Sequence, residues 1–135
     1  EGRKFTILVV DDDPDLAKLL RTYLSLEGFL PRIAASAAQL VSAFRQPPLP
    51  DLVLLDVSLP DANGFDVLVK MHRHPVLKGV PVIMLTAEAT REAVLKGLRA
   101  GADGYVTKPF DPEAVTMAVK AVLGLTPAPR APHRT

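Results

Sequence analysis

The chain has 135 residues, of which 48% are apolar and 23% charged, with a formal net charge of +1 and no cysteine. That balance fits one domain with a real core. It excludes a disulfide framework, a thiolate metal site and a cysteine nucleophile, and it argues against a dedicated nucleic-acid surface. No apolar run approaches the ~20 residues of a membrane span, and no basic-then-apolar leader marks the chain for export. Cysteine-free composition fits a reducing compartment, so a cytoplasmic setting is expected. Because the first residue is Glu1 rather than Met, the sequence reads as a trimmed or excised piece with neighbouring domains beyond it.

In chain order, Thr6–Val10 reads as a strand that ends against Asp11, Asp12 and Asp13. Asp13-Pro14 has the form of a helix N-cap followed by proline at the first helical position. Leu16, Leu19, Leu20, Tyr23 and Leu24 then follow the spacing of one apolar stripe. Gly28 can end that helix in the left-handed conformation. Leu30–Ala34 is a second strand, which Pro31 places at a sheet edge. Ser36 caps a helix with the stripe Ala37, Leu40, Val41 and Phe44, stopped by Pro47-Pro48. Leu52–Leu55 is a third strand and runs into Asp56. A shorter helix marked by Val67, Leu68 and Met71 follows an Asn63-Gly64 turn. Val80–Leu85 is a fourth strand with Thr86 at its end, and Val94, Leu95 and Leu98 mark a helix ending near Gly101. Gly104–Thr107 leads into Lys108-Pro109, and Asp111-Pro112 starts a last helix with the stripe Val115, Ala118, Val119 and Val122. Residues 126–135, with three prolines and no periodicity, read as a linker or disordered tail after a domain spanning 1–125.

Short apolar strands alternating with helices predict an α/β fold with helices on both faces of a parallel sheet. Right-handed crossovers make it doubly wound. The expected architecture is flavodoxin-like (βα)5 with strand order 2-1-3-4-5. Ligands then bind beyond the carboxyl ends of the strands, where the order switches between the first and third. Adjacent strands lie only ~4.8 Å apart, so Asp11 and Asp12 would converge with Asp56.

Two unit charges ~5 Å apart repel by roughly 3 kcal/mol at an effective dielectric near 20. Either one carboxyl takes up a proton, or a divalent cation enters. An all-oxygen site without His or Cys suits Mg²⁺, with Mn²⁺ as a substitute, and metal is the expectation. Thr86 and Lys108, at the ends of the fourth and fifth strands, approach from the other side. A hydroxyl, an ammonium and a cation around one carboxylate suit a phosphoryl group, whose peripheral oxygens need such partners.

The segments "VVDDDP", "LLDVSLPDANG", "LTA" and "KPF", in that order at strand ends, carry a resemblance over residues 5–124. The chain resembles the receiver domain of bacterial two-component response regulators. The resemblance implies that Asp56 is the phospho-acceptor, taking its phosphoryl group from a phosphohistidine of a sensor kinase or histidine phosphotransfer protein. It implies Asp12 and Asp56 as direct Mg²⁺ ligands, Asp11 acting through water, and the Ser58 backbone carbonyl as a further ligand. Lys108 matches the residue that pairs with the acidic site, Thr86 the switch hydroxyl, Tyr105 the switch aromatic, and Lys108-Pro109 a cis peptide. Asp13 falls to helix capping. The domain would be a signalling module rather than an enzyme, catalysing only its own phosphorylation and dephosphorylation. It would either stand alone or regulate an output domain beyond residue 125, with the α4–β5–α5 face available for a homodimer and no direct nucleic-acid or membrane binding.

Ser58 and Glu88 fall where the family varies. A small Ser leaves room for attacking water; Glu88 either orients that water or repels the phosphoryl group, and the sequence does not choose. His72 and His74 are read as surface histidines, since residues two apart on a helix do not face each other. Three other readings compete. A Mg²⁺-dependent aspartyl-phosphate hydrolase would use Asp11-x-Asp13, but position 15 is Asp rather than Thr or Ser and the chain has no room for a cap. A flavodoxin-like FMN module has the fold, yet three aspartates would repel the FMN phosphate. A receiver-like binding module that is never phosphorylated is opposed by the completeness of the pocket.

Overall fold

A computed structural model describes residues 4–125; the proline-rich segment 126–135 lies outside the described residues. Five strands alternate with five α-helices: β1 (Thr6–Val10), α1 (Pro14–Leu26), β2 (Leu30–Ala34), α2 (Ala37–Ala43), β3 (Leu52–Leu55), α3 (Gly64–Arg73), β4 (Val82–Thr86), α4 (Arg91–Arg99), β5 (Gly104–Thr107) and α5 (Pro112–Val122). All pairings are parallel, in the order β2-β1-β3-β4-β5. The fold class and strand order expected from the sequence are those observed, and Pro31 does sit on an edge strand.

Every residue of β1, β3 and β4 is buried, as two-sided coverage requires. Successive side chains alternate between two cores. Ile7, Val9, Leu52, Leu54, Ile83 and Leu85 meet Leu20 and Leu24 of α1 and Val115 and Val119 of α5. Leu8, Val10, Val53, Leu55, Val82 and Met84 meet Leu40 of α2 and Phe65, Leu68 and Met71 of α3. Removing each such Leu or Val from water is worth about 1.5–3 kcal/mol.

The caps follow the sequence. The Asp13 side chain accepts from the amides of Asp15 and Leu16, and Asp111 accepts from Glu113. Gly28 follows α1 at φ +89°, where only glycine is unstrained. Two boundaries and one packing expectation differ. α2 ends at Ala43, before Pro47-Pro48, whose peptide is cis; Arg32 donates to the carbonyls of Gln46 and Pro48 and holds that loop. β4 begins at Val82 because residues 77–79 form a 3₁₀ turn that Val80 closes. In α4 the expected stripe is not core: Leu95 and Leu98 are exposed, Gly97 is the buried residue, and Ala93 and Ala100 face the sheet. Small residues there let a short helix lie close to β5, with Gly97 against Tyr105.

Candidate phosphoryl-acceptor site

The β1–β3 register pairs Val10 with Leu55, so the next residues, Asp11 and Asp56, stand side by side at the carboxyl edge. The Asp56 amide donates to the Val10 carbonyl at 3.1 Å and the Asp11 amide to the Ala34 carbonyl at 3.0 Å, continuing the ladder past the strands. One oxygen from each of Asp11, Asp12 and Asp56 falls within 4.8 Å of the others. Asp11 and Asp56 are buried, while Asp12 is exposed.

Lys108 arrives from the end of β5, where its amide donates to the Thr86 carbonyl at 2.8 Å and the following peptide is cis, as expected. Its Nζ donates to Asp11 Oδ2 at 2.7 Å and Asp56 Oδ2 at 2.9 Å. Asp11 Oδ1 also accepts from the Asp13 amide and Asp56 Oδ1 from the Ser58 amide. Burial pushes the Asp11 carboxyl above its ordinary range, over the opposition of the Lys108 and Asp13 bonds; the charge of Asp56 adds to the rise. Burial alone would lower the Lys108 ammonium, but the bonds to the two carboxylates outweigh it and hold the group above its ordinary value. The crowd of negative charge is thus partly cancelled from one side by a single ammonium. On the other side Asp12, whose carboxylate has no hydrogen bond among the described residues, faces water. A hard divalent cation fits this donor set of carboxylate oxygens without nitrogen or sulfur.

The β3–α3 connection is closed on itself. Ser58 and Asn63 form an antiparallel bridge, the Leu59 amide donates to the Ala62 carbonyl, and the Gly64 amide donates to the Val57 carbonyl at 2.7 Å. Asn63 proves to be the N-cap of α3, its Oδ1 accepting from the Phe65 amide at 2.8 Å. Gly64 is required for contact rather than for a turn: a Cβ there would lie 2.2 Å from the Asp56 carbonyl oxygen. The Asp61 carboxylate accepts from the amides of Ala37 and Ala38, which hold it below the usual carboxylate range.

Thr86 is buried at the end of β4, and its Oγ1 accepts from the Glu88 amide. Tyr105, half-buried on β5, donates from its hydroxyl to the Glu88 carbonyl at 2.6 Å. Burial raises its phenol above the ordinary value, with the charges of Glu88 and Asp56 adding. Its ring lies against α4 where Gly97 leaves room, since a Cβ would come 2.9 Å from Tyr105 Cε2. Ser58, Asn63, Glu88 and Lys96 line one open cleft beside the connection, so the two variable positions singled out in the sequence face a common space. The histidines do not share a site. His72 is half-buried, its Nε2 2.9 Å from the Gly101 carbonyl, and is more than a surface residue; exposed His74 accepts from the Val76 and Leu77 amides through Nδ1.

Sequence reasoning missed the parts played by Gly64, Gly97 and Asp61. Gly97 carried one signal, a glycine interrupting an otherwise good helix. Asp61 carried none, because its partners lie more than twenty residues away.

Comparison with known proteins agrees with this geometry. The family model for the response regulator receiver domain matches residues 7–120. The DNA-binding response regulator MtrA of Mycolicibacterium smegmatis is 45% identical over 117 residues, covering 87% of this chain and 50% of that protein. The phosphate regulon transcriptional regulatory protein PhoB of Escherichia coli is 37% identical over 117 residues, covering 87% of this chain and 51% of that protein. Among solved structures, a CheY-like response regulator receiver domain protein from Methanospirillum hungatei superposes with a TM-score of 0.80 at 34% identity, covering 90% of this chain and 95% of that one. DrrB, a Thermotoga maritima OmpR/PhoB homologue, gives 0.79 at 33% identity, covering 90% of this chain and 54% of that one. The chain spans about half the length of the curated relatives it matches. With its strand order, its acidic edge and a family match over most of its length, the chain belongs to the response regulator receiver family.

Proposed function

We propose that Asp56 accepts a phosphoryl group from a phosphohistidine of a sensor histidine kinase or a histidine phosphotransfer protein. The observation that carries this reading is the Lys108 ammonium shared between Asp11 and Asp56, with Asp12 alongside. Asp12, Asp56 and the Ser58 carbonyl would hold Mg²⁺ directly, and Asp11 would act through water. The cation supplies charge neutralisation and orientation of the phosphoryl oxygens when bound. An Asp56 oxygen attacks phosphorus in line, the P–N bond breaks, and its electron pair leaves with the imidazole. Lys108 moves from two carboxylates to one carboxylate and the transferred oxygens, and the Thr86 hydroxyl donates to another of those oxygens. The chemistry asks for little beyond positioning and charge.

Movement of Thr86 toward the new group acts on its neighbour Glu88, whose carbonyl holds Tyr105, and so on the packing of α4 and β5. That is a local charge event biasing a two-state packing element. Exposed Leu95 and Leu98 on α4 and Met117 on α5 support a homodimer contact on the α4–β5–α5 face. Relatives of twice the length support an output domain beside a receiver at 1–125, with 126–135 as linker, and the receiver family supports a cytoplasmic setting. Among the described residues no helix is long and apolar enough to cross a membrane.

The test is incubation with acetyl phosphate and Mg²⁺, followed by intact mass. The parent should gain one phosphoryl group, lose the ability when EDTA is added, and lose it in Asp56→Asn. Equal labelling of Asp56→Asn and the parent would overturn the assignment.

A further inference from the structure

Asp61 is exposed, yet both its oxygens are engaged: Oδ1 accepts from the Ala37 amide at 2.8 Å and Oδ2 from the Ala38 amide at 3.0 Å. Those amides open α2, and such groups have no partner within their own helix. Asp56, at the base of the β3–α3 connection, is held by Val10 and Lys108, and the other hydrogen bonds beyond it stay within the connection and the start of α3: Ser58 to Asp56, Leu59 to Ala62, and Gly64 to Val57. Among the described residues, the Asp61 pair alone hydrogen-bonds residues 58–62 to anything outside that connection and the start of α3. The Ser58–Asn63 bridge makes the tip rigid, so a clamp at residue 61 fixes residue 58 as well.

We propose that Asp61 is a positioning residue that holds the Ser58 carbonyl where a cation at Asp12 and Asp56 needs it, so that the α2 N-terminus sets the metal affinity of the site. This rests on the reading of Ser58 as a metal ligand. Without the clamp the Ser58 amide's bond to Asp56 Oδ1 is, among the described residues, the one hydrogen bond that ties the tip to the fixed carboxylates, and once it yields the tip can swing as a unit with its Leu59–Ala62 and Val57–Gly64 bonds intact. The carboxylates remain in place, because β1 and β3 fix them, and only the third protein ligand is lost from register. Groups that orient ligands from behind typically cost about 10–100-fold in metal affinity when removed. Asp61 acts one step further out, through three residues of backbone, so a loss of about three- to tenfold is expected.

The experiment measures Mn²⁺ affinity by water-proton relaxation and the exchange rates of the Ala37 and Ala38 amides. It uses the parent, Asp61→Ala, Asp61→Asn and Ser36→Ala. Ser36 caps the same helix by accepting from the Gln39 amide and has no bond to the connection, so Ser36→Ala separates a weakened α2 from a released tip. Expected are faster exchange at both amides and weaker Mn²⁺ binding in Asp61→Ala, an intermediate value in Asp61→Asn, which keeps one acceptor, and parental affinity in Ser36→Ala. Parental affinity in Asp61→Ala overturns the proposal. So does equal weakening in Ser36→Ala, which would make the effect one of helix stability. Should Asp61→Ala fail to fold, Asp61→Asn decides in the same way. A parent that binds no Mn²⁺ would instead sink the metal-site reading on which this one stands.

Discussion

The β3–α3 region and the β5–α4 region flank the same edge of the sheet but are packed differently. All of β3 is buried, and α3 buries Phe65, Val67, Leu68 and Met71 beneath it. Every residue of β5 is only half-buried, and α4 buries Gly97 alone while leaving Leu95 and Leu98 exposed. Segments with little apolar burial open at lower free energy than core segments. The Asp56 carboxylate, the proposed acceptor, is therefore held by the rigid half, and the residues expected to respond belong to the looser one. A pair of glycines sharpens the contrast. Gly64 abuts backbone that cannot move, since a Cβ there would run into the Asp56 carbonyl oxygen, whereas Gly97 abuts the edge of a side-chain ring.

The largest expected effect is at Gly64. In Gly64→Ala the new methyl must displace either the Asp56 peptide or the start of α3, an overpacking cost of about 3 kcal/mol or more. Thermal unfolding should fall by roughly 10 °C for a domain of this size, and phosphorylation from acetyl phosphate should fall with it because the displaced atoms belong to Asp56, the proposed acceptor. An unchanged melting temperature would show that the β3–α3 half is not rigid, and the comparison would fail at its stronger end.

Lys108 joins the two halves, since it is carried by β5 and bonded to Asp11 and Asp56. Its side chain is 21% exposed. Removing one partner of a buried ion pair costs about 3–5 kcal/mol, and this partial exposure reduces the expectation for Lys108→Met to about 2 kcal/mol. Saturating Mg²⁺ should restore much of that loss, because the ion supplies the positive charge that the substitution removes. A ligand binding only the folded state at about 100 times its dissociation constant adds about 2.7 kcal/mol. Urea unfolding of parent and variant, with and without Mg²⁺, measures both quantities. A variant deficit that Mg²⁺ leaves untouched would mean that Lys108 acts through packing and not through charge.

How much of this was legible in the sequence divides along the same line. The fold followed from burial on two faces, which writes unbroken runs of Val, Ile and Leu, and from Asp13-Pro14 and Asp111-Pro112, whose capping chemistry is local. The convergence of Asp11, Asp12, Asp56 and Lys108 followed from strand ends, because topology alone puts strand ends together. What escaped depended on contacts between elements remote in sequence. Asp61 reaches α2, His72 reaches Gly101, and Arg32 reaches the α2–β3 loop; none leaves a periodic or spaced signal. The exposure of Leu95 and Leu98 escaped for another reason: an apolar stripe reports that a face is covered or is free to be covered, and the pattern alone cannot distinguish the two.

The smallest effect on stability, and the most informative about the looser half, is at Gly97. Gly97→Ala gains helix propensity worth up to about 1 kcal/mol. Against that stands a Cβ 2.9 Å from Tyr105 Cε2 and 3.2 Å from Phe65 Cε1. A ring edge on a half-buried strand can turn away, so the two terms should nearly cancel and the melting temperature should move by less than about 4 °C. The turning has its own signature. Tyr105 titrates above the ordinary tyrosine range because burial, then the charges of Glu88 and Asp56, disfavour its phenolate. A ring pushed outward loses part of that burial and the bond to the Glu88 carbonyl, so its pKa should fall back toward the ordinary value. Absorbance titration resolves this against Tyr23, the only other tyrosine in the chain. A loss of stability as large as that of Gly64→Ala, with the Tyr105 titration unmoved, would mean that the ring is fixed as firmly as the Asp56 backbone, and the β5–α4 region could not then be the part that yields.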